Sequence, residues 1–241
     1  MIADFVSATI GWLASPDGTE RARVHIRPGK ARDGYFSSEE VINQLNTAMD
    51  ILERFYPQYK HVFIFDNART HTKRAECALS ARSMSKNPHP TFGANCVVRD
   101  DHGKPIVDPQ GRPLTERRRM EDATFQDGAR QPLYFPKNHT RYPGFFKGMT
   151  AILRERGFED PEKIRAACPG FRCDKEAVNC CQRRILFDEK DFANVPSLVE
   201  SHCQTRGFEV LFLPKFHPEL NMIEMCWGYA KRLYRELPCQ R

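Results

Sequence analysis

Three carboxylates stand where they could share metal ions. Asp4 lies in an apolar segment, Asp66 directly follows the apolar run 62–65, and Glu224 lies near the start of a helical pattern. Three carboxylates about 4 Å apart would repel by roughly 4 kcal/mol per pair at an effective dielectric near 20. Such a cluster is stable only when protonated or filled with cations, and Mg²⁺ prefers carboxylates, waters and substrate phosphates. Two such ions would activate a water and stabilise the leaving oxygen of a phosphodiester.

Each acid also has an ordinary structural interpretation. An Asp after a strand is most often a turn or helix-cap residue, which would account for Asp66. Asn221 and Glu224 have the spacing of a helix-capping pair. Asp4 alone carries almost no signal. Spacing and composition therefore leave the structural and the catalytic interpretations both open.

The elements that hold these acids follow from periodicity. Ser37 and Glu40 form a capping box before an amphipathic pattern, which predicts a helix. The apolar runs 62–65 and 210–213 predict strands buried on both faces. A last helix is expected to begin at Asn221 as its N-cap. Because ligand groups of open α/β sheets follow the carboxyl ends of strands, Asp66 is well placed for a site.

The start of the chain predicts two further strands, at 2–13 and 22–26, around a turn at 15–18. The sequence thus predicts an α/β fold. Its core is formed by residues 1–85 and 206–241, the latter supplying the last strand and the acid-bearing helix.

Residues 86–205 are expected to form an insertion with its own structure, because so long a loop is rare in a compact domain. A helix is expected at 145–156. The insertion is cationic and interleaved with aromatic residues, which suits phosphate contacts with base stacking. Its basic run is Arg117, Arg118 and Arg119. A solvated charged face with buried aromatic side chains is an equally ordinary interpretation.

The cysteines indicate a second metal centre. Four of them fall within 14 residues: Cys168, Cys173, Cys180 and Cys181. Four thiolates can hold structural Zn²⁺ tetrahedrally, although adjacent ligands are awkward, so that His202 or Cys203 could replace one of the adjacent pair. Reduced thiols in a small subdomain are the alternative. A zinc-organised interaction module, in which chelation would unfold only the middle of the chain, is a further hypothesis.

Composition sets the class of protein. The 241 residues suit one elaborated domain or one domain with a large insertion. No apolar run is long enough for a membrane span, and the first residues make a poor signal peptide. An intracellular protein is expected, with nine cysteines present as thiols or metal ligands rather than as a disulfide framework. The net charge of +6 permits a polyanionic partner. The oligomeric state cannot be read from the sequence.

Two segments resemble motifs of the DDE transposases of the mariner-like superfamily. FDNARTH at 65–71 resembles the segment around their second acid, and LPKFHPELNMIEMCW at 213–227, with Lys231 beyond, resembles their third block. IADF at 2–5 looks like the first-acid strand. The chain is most similar to the DDE-superfamily endonuclease-like proteins of fungi, which share segments of the type seen here at 27–35, 147–157 and 180–184.

This resemblance implies an RNase H-like mixed sheet with flanking helices, here carrying a large cysteine-bearing insertion. It implies that Asp4, Asp66 and Glu224 bind two Mg²⁺ or Mn²⁺ ions and catalyse DNA strand cleavage and joining in the nucleus. Lys231, His71 and His217 become candidates for phosphate contacts.

Departures from the family pattern support an alternative. No helix-turn-helix segment precedes Asp4, and Met222 and His217 replace the usual Pro and Ser of the third block. The alternative is a catalytically inactive transposase remnant that only binds DNA. Salt-sensitive DNA binding without cleavage would distinguish it from an active enzyme.

Overall fold

The computed structural model describes residues 1–101 and 104–236, and its strands are short. The helices are α1 Ser38–Phe55, α2 Met149–Glu155, α3 Gln182–Asp188, α4 Lys190–Ala193, α5 Leu198–Thr205 and α6 Met222–Glu236. The strands are β1 Ile2–Ala3, β2 Val6–Ser7, β3 Gly11–Trp12, β4 Val24–His25, β5 Val62–Phe65, β6 Ala94–Val97, β7 Thr115–Arg118, β8 Ala123–Thr124, β9 Arg130–Gln131 and β10 Glu209–Phe212.

The chain forms two compact units, one of Met1–Lys73 with Pro196–Arg241 and one of Arg74–Val195. We call them the outer-segment unit and the middle unit. The sequence places the insertion at 86–205, so the middle unit begins and ends earlier than expected. No helix among the described residues has the length and apolar character needed to cross a membrane.

The outer-segment unit is built around α1. Ser37 caps this helix, and Glu40 returns a hydrogen bond to the Ser37 backbone amide, so the predicted capping box is confirmed. One face of α1 is buried against Phe63 and Phe65 of β5 and against Val199 and Cys203 of α5. The apolar stripe on α1 therefore positions β5, whose carboxyl end leads into Asp66.

The strands of the outer-segment unit pair in twos. β1 pairs with β4, β2 pairs antiparallel with β3, and β5 pairs parallel with β10. The turn predicted at 15–18 is present, since the Gly18 amide donates to the Ser15 carbonyl over 2.8 Å. The predicted strand at 2–13 is interrupted and folds back as a β2–β3 hairpin. The mixed α/β character is confirmed.

The prediction that β5 and β10 are buried on both faces is wrong. Phe63 and Phe65 are buried, but Ile64 on the opposite face of β5 is 60% exposed and Leu211 of β10 is 50% exposed. Side chains alternate between the two faces of a strand, and among the described residues only one face of this pair has a helix packed on it. A short apolar run alone does not distinguish these cases.

The middle unit has its own core, whose largest fully buried apolar members include Phe146, Leu133, Ile152, Leu186 and Phe192. The helix predicted at 145–156 begins later, at Met149. The amide of Phe146 instead donates to His89 over 3.0 Å, and that of Lys147 donates to Leu133 over 2.9 Å. These residues are therefore held in strand-like bridges before the helix begins.

One pair of cysteines corrects the expectation of free thiols and metal ligands. Cys77 and Cys96, both in the middle unit, form a disulfide. The six other cysteines of the described residues are not disulfide-bonded. Cys239 lies outside the described residues.

Candidate functional site

Asp66 and the third sequence block lie at one end of the β5–β10 pair. The two strands run parallel, with Phe65 opposite Phe212, so both chains leave the sheet at the same edge. The Leu213 amide donates to the Phe65 carbonyl over 2.9 Å. The Asn67 side-chain amide donates to the Leu213 carbonyl over 2.5 Å. Asn67 therefore ties the Asp66 loop to the segment that leads into α6.

Asp66 has two hydrogen-bond partners at this edge. Its Oδ1 accepts from the Ala68 amide at 2.9 Å and is 2.7 Å from Nδ1 of His71. The first bond is the turn interaction expected of an Asp after a strand. The side chain of Asp66 is half exposed. His71 packs against Phe65, with ring centroids 4.9 Å apart, and so orients a carboxylate that solvent and ions can still reach.

Asp4 is held differently. Its side chain is 1% exposed, and Oδ2 accepts from Nε of Arg23 at 2.5 Å while Oδ1 accepts from the Phe5 amide at 2.8 Å. The Phe5 ring lies 5.4 Å from that of Phe63 on β5. This packing places the Asp4 segment beside the strand that ends at Asp66. Arg23 neutralises the Asp4 carboxylate in the structure.

Glu224 lies in the first turn of α6 with an exposed side chain. Its amide donates to the Asn221 carbonyl over 3.0 Å, which fits a helix that begins just after Asn221. An acid in the first turn is favoured by the positive end of the helix dipole.

The three acids lie on neighbouring elements of one unit, but their oxygens are not gathered. Within residues 1–101 and 104–236, the one group of metal-ligating side chains close enough to share an ion consists of cysteines. The carboxylates are donors that suit Mg²⁺. In this arrangement Asp4 is bound to Arg23, and the three carboxylates do not share a site.

The candidates for phosphate contacts have different surroundings. His71 is already bonded to Asp66. His217 is exposed and lies 2.7 Å from Oε1 of Glu219, a hydrogen bond that lowers the pKa of Glu219. Lys231 is exposed on α6, two helical turns beyond Glu224. Of the three, Lys231 is the best placed to meet a phosphate.

The basic run of the middle unit makes local contacts. Arg117 donates to the Thr91 carbonyl over 3.1 Å, and Arg118 pairs with Glu116. Arg119 donates to the Gly144 carbonyl over 3.0 Å, and its guanidinium lies 4.7 Å from the ring centroid of Tyr134. All three side chains remain exposed, so these contacts leave part of each guanidinium at the surface.

The four predicted cysteines do come together. The sulfur atoms of Cys168, Cys173, Cys180 and Cys181 all lie within 4.8 Å of one another. Cys181 is fully buried, and its sulfur is 3.8 Å from that of Cys173. This cluster can hold a metal ion such as Zn²⁺, and both adjacent cysteines take part in it.

The suggested substitutes lie elsewhere in the fold. Cys203 is buried in the core of the outer-segment unit, and the His202 ring lies 2.6 Å from the Asn46 side-chain oxygen. Both residues belong to α5, so their side chains face α1 and the elements next to it. The suggestion that either replaces Cys180 or Cys181 is therefore wrong.

Burial and hydrogen bonding shift the thiol pKa values of the cluster, raising that of Cys180 and lowering that of Cys181. Burial, followed by hydrogen bonding with Cys168, raises the pKa of Cys180 to about 12. Without a cation this thiol stays protonated at neutral pH. Arg183 donates to the Cys173 sulfur over 3.8 Å and to the Phe171 carbonyl over 2.8 Å. It would offset part of the negative charge of a tetrathiolate site.

Two contacts near Asp4 were missed by the sequence interpretation. The β1–β4 register pairs Ala3 with Val24, so Asp4 and Arg23 come next, on opposing strands. The sequence signal for this ion pair was the opposite charge of Asp4 and Arg23, which lie at facing positions of the two predicted strands. The contact between the tilted rings of Trp12 and Trp227 had no such signal, because the two residues are far apart in sequence.

No protein-family model, curated protein or solved structure matches the chain. The likeness to DDE transposases therefore rests on the quoted sequence segments.

Proposed function

We propose that this chain is a transposase-derived DDE endonuclease that cleaves and joins DNA strands in the nucleus. The proposed fold is RNase H-like, with β5 and β10 as two of its parallel strands. One observation carries the proposal: Asp66 and the segment leading to Glu224 leave the same edge of a parallel strand pair, tied by Asn67. Active sites of open α/β sheets lie at such edges.

Each residue has a role in this proposal. Asp4, Asp66 and Glu224 would hold two Mg²⁺ or Mn²⁺ ions, which supply an activated water and stabilise the leaving oxygen of the phosphodiester. His71 orients Asp66 through its Nδ1 hydrogen bond. Lys231 positions a DNA phosphate beside Glu224. Arg23 has to release Asp4, because its guanidinium holds that carboxylate in the structure.

The cysteine cluster has a separate role. We propose that Cys168, Cys173, Cys180 and Cys181 bind a structural Zn²⁺. Four sulfur ligands complete the tetrahedral coordination of the ion and leave no position for a reacting water. The zinc would therefore stabilise the middle unit and take no part in DNA cleavage.

The second candidate is an inactive remnant that binds DNA. The ion pair of Asp4 with Arg23, and the separation of the three acids among the described residues, favour it. Such a protein would bind DNA through exposed cations such as Lys231 and the run at 117–119, with an affinity that falls steeply as salt rises.

Manganese binding tests the catalytic proposal. In calorimetric titration, wild type should bind Mn²⁺, and Asp66→Asn should weaken that binding about tenfold or more, because a charged ligand is lost. Glu219→Gln is the control, since this exposed acid contacts His217 and has no proposed metal role. No Mn²⁺ binding by folded wild type, or equal weakening by both substitutions, would contradict the proposal and favour the remnant.

A further inference from the structure

The chain's two tryptophans lie together beside Asp4. Trp12 on β3 and Trp227 on α6 have ring centroids 4.7 Å apart at an interplanar angle of 30°. The Arg23 guanidinium, which binds Asp4, lies 5.5 Å from the centroid of the Trp12 ring. An aromatic and guanidinium surface is thus built next to the first of the proposed metal-binding acids.

A cavity of about 410 Å³ opens on this surface. It is lined by Trp12, Leu13, Ala14, Arg21 and Arg23. Its volume lies in the range of small-molecule sites. The lining contains one large aromatic ring, two guanidinium groups and no acid. This combination suits a flat ring system that carries negative charge.

The two arginines differ in their charge balance. Arg23 is already neutralised by Asp4. The Nε of Arg21 donates to the Gly18 carbonyl over 3.2 Å, which orients the guanidinium and leaves its terminal nitrogens able to bind an anion. The nearby acid Glu20 pairs with Arg54 instead. Arg21 therefore supplies the positive charge of the cavity.

We infer that this cavity binds one nucleotide of a single-stranded nucleic acid. The base packs against Trp12 and the Arg23 guanidinium plane, and Arg21 binds the phosphate. Base stacking on aromatic side chains and arginine forks is the usual basis of single-strand recognition, whereas the bases of a duplex are not accessible to such a surface. The inference extends the proposed function, because it places an unpaired nucleotide beside Asp4.

Tryptophan fluorescence tests the inference directly, since Trp12 lines the cavity and Trp227 packs against it. A ten-nucleotide single-stranded DNA, titrated without added Mg²⁺ or Mn²⁺, should quench the emission to saturation, and the same sequence as a duplex should quench it far less. Arg21→Ala should weaken the binding about tenfold or more, because a charged hydrogen bond to phosphate is lost. Trp12→Leu should weaken it similarly, with Trp227 as the remaining reporter.

Lys60→Ala is the control, because Lys60 is an exposed cation of the same unit that pairs with Glu209. Titration with deoxyadenosine monophosphate separates the two sources of a nucleotide: binding as tight as that of the oligonucleotide identifies a free nucleotide as the ligand. Circular dichroism establishes that each variant is folded. The inference would be overturned if neither the single-stranded oligonucleotide nor deoxyadenosine monophosphate quenched the tryptophan fluorescence. It would also be overturned if Arg21→Ala and Lys60→Ala bound the oligonucleotide equally tightly. Because no Mg²⁺ or Mn²⁺ is added, failure of DNA cleavage would not affect this result.

Discussion

Replacing Cys181 with serine should abolish zinc binding and lower the melting temperature of the middle unit by roughly 10 °C. The Cys181 sulfur is buried among three other sulfurs, so a hydroxyl in its place removes a thiolate ligand with little change in shape. Structural zinc contributes directly to folding free energy. The large middle-unit core should keep the remaining residues folded. Elemental analysis would measure zinc, and calorimetry the melting temperature.

Cys203→Ser is the matched control for this prediction. Cys203 is equally buried, but it lies in the core of the outer-segment unit and outside the cluster. Burial raises the pKa of its thiol to about 11. The control should retain about one zinc ion per chain. Equal zinc content in wild type and Cys181→Ser would refute the zinc site.

Arg156→Ala is expected to destabilise the middle unit by about 3–5 kcal/mol. The Arg156 side chain is 5% exposed and binds Glu189 at 2.8 Å and Asp191 at 2.7 Å. It also donates to Gln131 over 2.9 Å and lies over the Phe192 ring. Its removal leaves two largely buried carboxylates without their cation. Urea denaturation followed by circular dichroism would give the change in unfolding free energy.

Arg154→Ala separates this effect from the general loss of an arginine. Arg154 lies in the last turn of α2, two residues before Arg156, but is 61% exposed, and its partner Glu162 is exposed as well. An exposed ion pair contributes about 0–1 kcal/mol, so this variant should unfold almost like wild type. Similar losses in both variants would show that the buried ion pairs do not stabilise the unit.

The same ion pairs give a pH dependence. Burial opposes ionisation of Asp191, but hydrogen bonding with Arg156 outweighs it and lowers the pKa of the carboxyl group. A lowered folded-state pKa contributes stability above the unfolded-state pKa, and this stability is lost as the pH falls through the folded-state value. Arg156→Ala should therefore reduce the acid sensitivity of the unit as well as its stability.

Local sequence signals predicted the elements that hold the candidate site. The capping box at Ser37 fixed the start of α1, and the apolar run at 62–65 located β5. Both signals depend on neighbouring residues. The exposed outer face of β5 could not be predicted, because it depends on which elements pack there.

Long-range pairing limited the prediction of the sites. The four clustered cysteines lie within one short segment, so their proximity was evident from spacing. The disulfide between Cys77 and Cys96 could not be predicted, because whether two distant thiols meet depends on the fold between them. Identifying Arg23 as the partner of Asp4 required the register of β1 against β4, which composition does not supply.

Nicking of supercoiled plasmid DNA with Mn²⁺ or Mg²⁺ tests the proposed function most directly. Wild type should nick the plasmid only when metal is present, and Asp66→Asn and Glu224→Gln should each reduce the rate at least about 100-fold. Glu219→Gln should cleave like wild type. Metal-independent cleavage would contradict a DDE endonuclease. No cleavage by folded wild-type protein would contradict it as well and would leave DNA binding without catalysis.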